Sequence, residues 1–314
     1  MTTTNKDMVI YDDLAQTAYL ERMQDVLEVF NGASNGAFDL SNENIVGDFR
    51  KQAFYKIGGS IEHRDVNSEG RVGPKKIGAS EMVGVKVPFK YGPYSTAEEA
   101  FKRRGRDPEE FSVLLGQDYA DAVLTGYIQY STAALQAAIG GNKEMVAKAN
   151  IAVDGKKTLT KGLRKFGDRF NRIALWVMDS SIYFDIVDQA IADKIYEEAG
   201  LVIYGGAPGT LGKPVLVTDQ SPQDVLFGLQ RGAISINESQ LPGFRSYPIN
   251  DGENLEIGFR AEGVFNMDVM GYSWKETAGA NPNLATVGSS ASWQKHATSN
   301  KSTAGVVINL NKVP

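Results

Sequence analysis

A chain of 314 residues, 42% hydrophobic and 10% aromatic, holds enough apolar material for one large or two modest domains, and so reads as globular rather than disordered. Its 38 acidic and 33 basic side chains leave a formal charge of -5, which excludes the overall cationic excess of a dedicated nucleic-acid binder. With no cysteine, disulfide frameworks and thiolate metal sites are excluded as well.

The opening MTTTNKDMVIYDD lacks the cationic-then-apolar pattern of a secretory leader, and no run approaches the roughly 20 apolar residues of a bilayer span. The expectation is a protein made and kept in a cytoplasm, with no membrane partner. From Asp12 to Phe30, Leu20, Met23, Leu27 and Phe30 recur at helical spacing until Asn31-Gly32 stops the pattern. A polar, glycine-bearing stretch follows to Asp48. An amphipathic helix on such a lead predicts an N-terminal arm over 1–48 that docks onto another body. On that expectation residues 1–36 are removable without loss of the body.

Residues 49–95 read as an extended β-hairpin with a loose middle. In MVGVKVPFKYG, Val83, Val85, Val87 and Phe89 alternate with Lys86 and Lys90, the period of two of an amphipathic strand. The intervening SIEHRDVNSEGRVGPKKIGASE is charged and glycine-rich, with little to pack. A neighbouring chain is expected to hold this loop. Beyond it, Thr96 caps a short helix carrying Glu98 and Glu99, and a far longer one starts at Asp107 (N-cap), Pro108 (first turn), Glu109 and Glu110. Phe111, Leu114, Leu115, Tyr119, Val123, Tyr127, Leu135 and Ile139 continue its register to Gly140-Gly141. At 1.5 Å per residue this is a spine of about 50 Å, placed in a segment over 96–157.

From 158 to 274 the pattern becomes mixed α/β. A basic helix at Leu159–Phe166 leads to the apolar run Ile173–Asp179, then to a helix over Ser181–Tyr196, and then to short strands at GLVIYG, KPVLVTD, AISIN, LEIGFRAE and FNMDVMGYSW. A polar linker leaves this unit, and Val306, Ile308 and Leu310 alternate in a last strand. Residues 275–314 are expected to return to the spine region.

Catalytic constellations are hard to assemble from these residues. His63 and His296, the only histidines, fall in the loose hairpin and the polar tail, which opposes a His-based triad or a facial metal site. GGAPGTLGKPV fails the phosphate-loop spacing, with Ala207 at the first glycine's place and Pro214 after Lys213. Asp179 and Asp219 follow apolar strands and are the best enzyme candidates, yet a cap or turn role suits them better. Lys102, Arg103, Arg104 and Arg106 offer a local phosphate contact or a solvated helix end. Trp176 reads as core, and Trp274 and Trp293 as candidates for an interface. No catalytic residue, cofactor or metal is therefore assigned.

The order of parts (arm, long hairpin, spine helix, α/β unit, returning strand) resembles the major capsid protein of tailed bacteriophages, a fold shared with encapsulin shells and the herpesvirus capsid floor. Carrying the resemblance are FGDRFNRIALWVMDSSIYFDIV at Phe166–Val187, GTLGKPVLVTDQSP at Gly209–Pro222, GLQRGAIS at Gly228–Ser235, and the closing segments Leu255–Trp274 and Trp293–Asn311. Many such coats have Met-His-Ser before a helix, where this chain has Met178-Asp179-Ser180; the Gly-x-x-Val-x-x-x-Asp pattern is kept as Gly212, Val215 and Asp219. The resemblance implies an α+β coat-protein fold, in which the hairpin lies over an adjacent subunit, the spine belongs to a peripheral domain, and 158–274 forms an axial domain at capsomer centres.

It also implies hexamers and pentamers closing an icosahedral shell around double-stranded DNA, which the acidic chain contacts weakly and non-specifically. The absence of a long charged helical leader points to a separate scaffolding protein. A portal is a further partner, and a decoration protein another candidate. Inter-subunit contacts are expected at Leu20, Met23, Leu27, Arg64, Arg71, Lys75, Lys76, Val83, Val85, Val87 and Phe89. Two other readings are an encapsulin-like compartment and, from another class, a soluble α/β hydrolase using Asp179 and Asp219.

Overall fold

A computed structural model describes residues 12–43, 45–56, 61–64, 66–71, 73–74, 78–97, 99, 103, 108–155, 157–192, 197–198, 201–202, 213–250 and 252–310. Helix α1 (Asp12–Ala33) opens on Asp12 and Asp13, carboxylates placed at the positive end of the helix dipole. It stops where Asn35 and Gly36 take positive φ and the Ser34 amide donates back to the Phe30 carbonyl at 2.8 Å. The chain reverses into β1 (Phe38–Asn42), and the Asn31 side chain clamps the reversal by bonding both the amide and the carbonyl of Leu40.

Strands β2 (Phe49–Lys56) and β3 (Gly78–Ala97) form the hairpin, paired from Phe49↔Val85 out to Lys56↔Gly78. Helix α2 (Pro108–Gly140) is 33 residues long, and its end is closed by the Gly141 and Asn142 amides, which donate to the Ala137 and Ile139 carbonyls. Asp107, Lys102, Arg104 and Arg106 lie outside the described residues, as do Glu98, Lys75, Lys76 and the glycine run from Ile203 to Gly212. There follow β4 (Val146–Ala149), α3 (Ile151–Asp154), α4 (Lys157–Phe166), β5 (Ile173–Met178) and α5 (Ser180–Ala192). The rest comprises β6 (Glu197–Glu198), β7 (Leu201–Val202), β8 (Val215–Val217), β9 (Val225–Gln230), β10 (Ile234–Ile249), β11 (Glu256–Val269), β12 (Tyr272–Trp274), α6 (Leu284–Val287), β13 (Trp293–Lys295) and β14 (Gly305–Leu310).

Two five-stranded sheets organise these elements, in the orders β1-β10-β11-β3-β2 and β4-β14-β9-β5-β8. This differs from the expected unit over 158–274 in one respect. AISIN and LEIGFRAE do not join the Ile173 strand; they belong to the long β10 and β11, which pair with each other and, through β11, with the hairpin strand β3. The segment after Trp274 returns to the long helix, as expected, through α6, β13 and β14, but β14 joins the sheet of the Ile173 strand. It lies inside the second sheet, parallel to β4 and antiparallel to β9, with Gly305 to Ile308 all buried. Its alternation suggested a one-sided strand, but a central strand covered on both faces hides every residue except Asn309.

Helix α2 connects the two sheets. Tyr119, Val123 and Tyr127 bury against the first, while Leu135, Ala138 and Ile139 bury where the helix meets β14, α6 and β13. Helix α1 packs along α2 and onto β10, burying Ala15, Ala18, Tyr19, Met23 and Phe30. The arm expectation is thereby corrected for α1, whose apolar face is covered by its own chain. The tryptophan expectation changes for the same reason: Trp274 and Trp293 stack edge to face at 5.1 Å, 1% and 4% exposed. Their indole N–H groups donate to the Gly279 and Val287 carbonyls. Trp176 is core, as its run implied.

Candidate assembly surface

The base of the hairpin is tied down by polar groups on one face of the first sheet. Successive residues of β11 point to opposite sides, so Phe265, Met267 and Val269 enter the core while Asn266 and Asp268 face the other way. On that second face the Arg50 guanidinium from β2 bonds Asp268 at 3.1 Å and Glu43 at 3.0 Å. Asn266 donates to Asp268 at 2.8 Å, and Ser41 donates to Asn237 at 2.6 Å. The loop at Ile45 closes over them, its carbonyl accepting from Ser239 and from Lys86. Burial pushes the Asp268 carboxyl above its ordinary range, and the Arg50 charge opposes that shift. Gly84 is required here, since a Cβ at that position would fall 1.9 Å from an Asp268 carboxylate oxygen. Two further ties hold the hairpin: the Val83 amide donates to Ser273 Oγ at 2.9 Å, and Lys51 pairs with Glu276.

The opposite face carries an aromatic layer under the two helices. Tyr19 stacks on Tyr119 at 4.8 Å, Tyr91 on Tyr119 at 5.0 Å, and Tyr127 meets Phe265 edge-on at 4.9 Å. Into this layer β10 inserts Glu238, 7% exposed, which accepts a 2.7 Å hydrogen bond from the Tyr19 hydroxyl. Burial raises the Glu238 pKa, with the Tyr19 bond acting in the other direction. The phenols of Tyr19, Tyr119 and Tyr127 are likewise pushed up, first by burial and then by neighbouring charges, Glu238 among them. Across the helix pair, Arg22 bonds Asp121 at 3.2 Å.

The residues expected at inter-subunit contacts divide sharply. Met23, Val83, Val85 and Val87 are buried within the chain, Leu27 and Phe89 pack partly against the same core, and Phe89 meets Tyr127 and Phe265. The period of two in β3 is as read, and its apolar face is buried within the chain, with Phe89 against Tyr127 of α2 and Phe265 of β11. Leu20 stays 38% exposed, and Arg64 and Arg71 lie on the hairpin tip with Ile61 and Val66, all solvent-facing. Sequence reasoning missed Arg50, Glu238 and Asp268. A usable signal was present: two polar residues at alternate positions of an otherwise apolar strand mark a second face with its own partners.

The two enzyme candidates lie at a helix cap and in a turn. Asp179 caps α5, its carboxylate accepting the Ser181 amide at 2.9 Å and the Ser181 hydroxyl. Asp219 is exposed in the turn that Thr218 and Ser221 close. His63 sits on the exposed tip. Among the described residues, no group of three or more His, Asp or Glu side chains is placed to hold a metal ion. None of the described helices is long and apolar enough to cross a membrane.

The described residues thus form two five-stranded sheets bridged by a long helix, with a hairpin anchored at its base and exposed at its tip. The sequence model of the family described as Gp13-like, major capsid protein 13-like, matches residues 7–307. The chain belongs to that family: it is a major capsid protein, a protein that forms the shell of the virion. Solved structures agree on the fold. That of Mycobacterium phage Bobi is 13% identical, with a TM-score of 0.53 over 90% of this chain and 91% of the other. The mature capsid of bacteriophage PhiM1 is 10% identical, with a TM-score of 0.51 over 89% and 87%. The capsid structure of cyanophage P-SCSP1u is 12% identical, with a TM-score of 0.50 over 74% and 83%. No curated protein matches the chain by sequence.

Proposed function

We propose that the chain acts as the protomer of hexamers and pentamers that close an icosahedral shell around double-stranded DNA, with the hairpin tip lying on an adjacent subunit. The observation carrying this reading is the hairpin itself: its base is held by Arg50, Lys51 and Val83, while every described residue from Ile61 to Pro74 is exposed. An anchored stalk with an exposed end suits contact in trans, and many such weak contacts close a shell through their number. Leu20, Arg64 and Arg71 are the accessible contact residues, and Lys75 and Lys76 belong to the same loop.

The genome is contacted weakly and without sequence preference. Supporting this, the outer surface of α1 and α2 exposes Asp13, Glu21, Asp25, Glu28 and Asp121 around the single Arg22, an arrangement that repels phosphate. The chain has no catalytic role, in keeping with Asp179 serving as a helix cap. Its partners are further copies of itself, a scaffolding protein, a portal and a decoration protein, and the shell is assembled in the host bacterial cytoplasm. Coexpression with a candidate scaffold, followed by negative-stain microscopy and assay of particle contents, tests the proposal. Closed shells of five- and six-fold capsomers containing nucleic acid are expected, whereas small oligomers alone, or shells filled with protein cargo, overturn it.

A further inference from the structure

The second sheet gathers cations at one end. Strands β5 and β8 run parallel, paired from Trp176↔Val215, and β9 runs antiparallel to β5 with Gln230 opposite Ile173. The starts of β5 and β8 therefore lie beside the end of β9. Arg172 immediately precedes β5, Lys213 stands just before β8, and Arg231 immediately follows β9. Three segments far apart in sequence thus each bring a positive side chain to this end. Together with Asn35, Asn171 and Gln230 they line a pocket of about 510 Å³ with no carboxylate among the described residues of its walls.

Elsewhere in the chain cations meet acids: Arg50, Lys51, Lys161 and Lys301 each pair with a carboxylate. Among the described residues Arg172, Lys213 and Arg231 pair with none, and Asp168, the acid closest to Arg172 in sequence, is taken by Lys301. Their bonds go to neutral groups instead. Lys213 donates to the Ile173 carbonyl, Arg172 to the Lys301 carbonyl at 3.3 Å, and Arg231 to the Asn35 side chain at 3.2 Å. Asn35 is itself fixed by donating to the Ala174 carbonyl at 3.1 Å, and Gln230 by donating to the Lys301 and Thr303 carbonyls. Partial burial holds the Lys213 ammonium below the ordinary lysine range, a cost that a bound anion would offset.

We infer that this pocket binds a phosphate group, free or carried by a nucleic-acid backbone, with Arg172, Lys213 and Arg231 supplying charge-assisted hydrogen bonds. Guanidinium forks suit phosphate oxygens, and the lysine adds a point charge. Three positive charges in one pocket match a phosphate monoester, or successive backbone phosphates, better than a single carboxylate. Lys213 is also the lysine of GGAPGTLGKPV, the run whose spacing fails as a phosphate loop; here it faces an anion beside two arginines instead. The inference concerns the single protomer and does not depend on shell closure.

Titration calorimetry of full-length protomers with pyrophosphate, and anisotropy of a labelled duplex oligonucleotide, both at constant ionic strength, test it. One saturable pyrophosphate site per chain is expected. Losing one charge-assisted bond weakens binding by about ten-fold, and Arg172→Gln and Lys213→Met are each expected to show that loss. Arg245→Gln and Arg260→Gln, at exposed arginines of the first sheet, are expected to leave the affinity unchanged. Displacement of the duplex by pyrophosphate identifies a backbone phosphate as the ligand, and pyrophosphate binding without duplex binding identifies a free one. Absence of binding by both probes overturns the inference. So does equal weakening by all four substitutions, which reduces the effect to general charge attraction, or tighter binding of pentaglutamate than of pyrophosphate. Where Lys213→Met lowers the melting temperature of the unliganded protomer, Arg172→Gln decides alone. Each of these outcomes leaves the capsid role standing.

Discussion

Asp268 and Glu238 are carboxyl groups hidden on opposite faces of one sheet, and they are held by different means. Arg50 supplies a charge to Asp268, whereas Glu238 has only the Tyr19 hydroxyl. Removing one member of a buried pair strands the other, so Arg50→Met is expected to destabilise the protomer by about 3 kcal/mol at neutral pH; urea denaturation measures it. Part of that loss should vanish in acid, where Asp268 protonates and no longer needs a partner. Glu238 shows the linkage without a salt bridge. Its folded pKa lies above the ordinary 4.5, so the folded state holds its proton more tightly than the unfolded chain. Its contribution to stability is therefore complete below about pH 4.5 and is lost as pH rises through the folded pKa. Glu238→Gln keeps an acceptor for Tyr19 and has no charge to desolvate. Denaturation midpoints followed across pH 4 to 8 should fall less for the variant than for the parent; parallel curves would show that Glu238 is ionised at no cost in the fold.

At the scale of elements, the two glycines of α2 make opposed predictions within one helix. Gly116→Ala drives a methyl into the Ala15 carbonyl and is expected to cost about 1–3 kcal/mol by overpacking. Gly126→Ala meets open space and should raise protomer stability by about 0.5–1 kcal/mol through helix propensity alone. Thermal melting of the two variants side by side checks the sign of each. Helix α2 was legible in sequence because its signals are local: Pro108 at the start, Gly140 at the end, and apolar residues at helical spacing between them. Strands β5 and β8 were legible for similar reasons. What was not legible was partnership. Periodicity shows that α1 and β3 each have an apolar face, but not whether Tyr19 and Val85 are covered by the same chain or by another copy. Nor does a run such as AISIN reveal that its hydrogen bonds go to Phe38–Asn42 and to β11, nearly 200 residues away on one side and some 30 on the other. Of the assembly surface, the exposed tip was readable from its charge and glycine content. The Arg50–Asp268 anchor was not, because it joins residues 218 positions apart.

For the whole molecule, the decisive division is between what a protomer needs to fold and what a shell needs to close. The core runs through α1, α2 and both sheets, whereas the tip of the hairpin contributes no described residue to it. The register supplies a direct way to separate the two. Because Lys56 stands opposite Gly78, residues 57–77 can be replaced by Asn-Gly, a two-residue turn whose twist suits antiparallel strands. The anchors at Arg50, Lys51 and Val83 all lie on the body side of this cut, as do Val85, Val87 and Phe89. The shortened protein is expected to keep the circular dichroism of the parent and a melting temperature within a few degrees of it, since no buried apolar group is lost among the described residues. It is also expected to remain as protomers under conditions where the full chain, given its scaffold, builds particles. Limited proteolysis of the full chain gives the complementary reading, with rapid cutting near Gly70–Arg71 in dissociated protein and protection in particles. Two outcomes would sink this division of labour: loss of the fold on shortening, which would make the tip part of the subunit's core, or normal particles from the shortened chain, which would move the essential contacts to the exposed faces of α1 and α2.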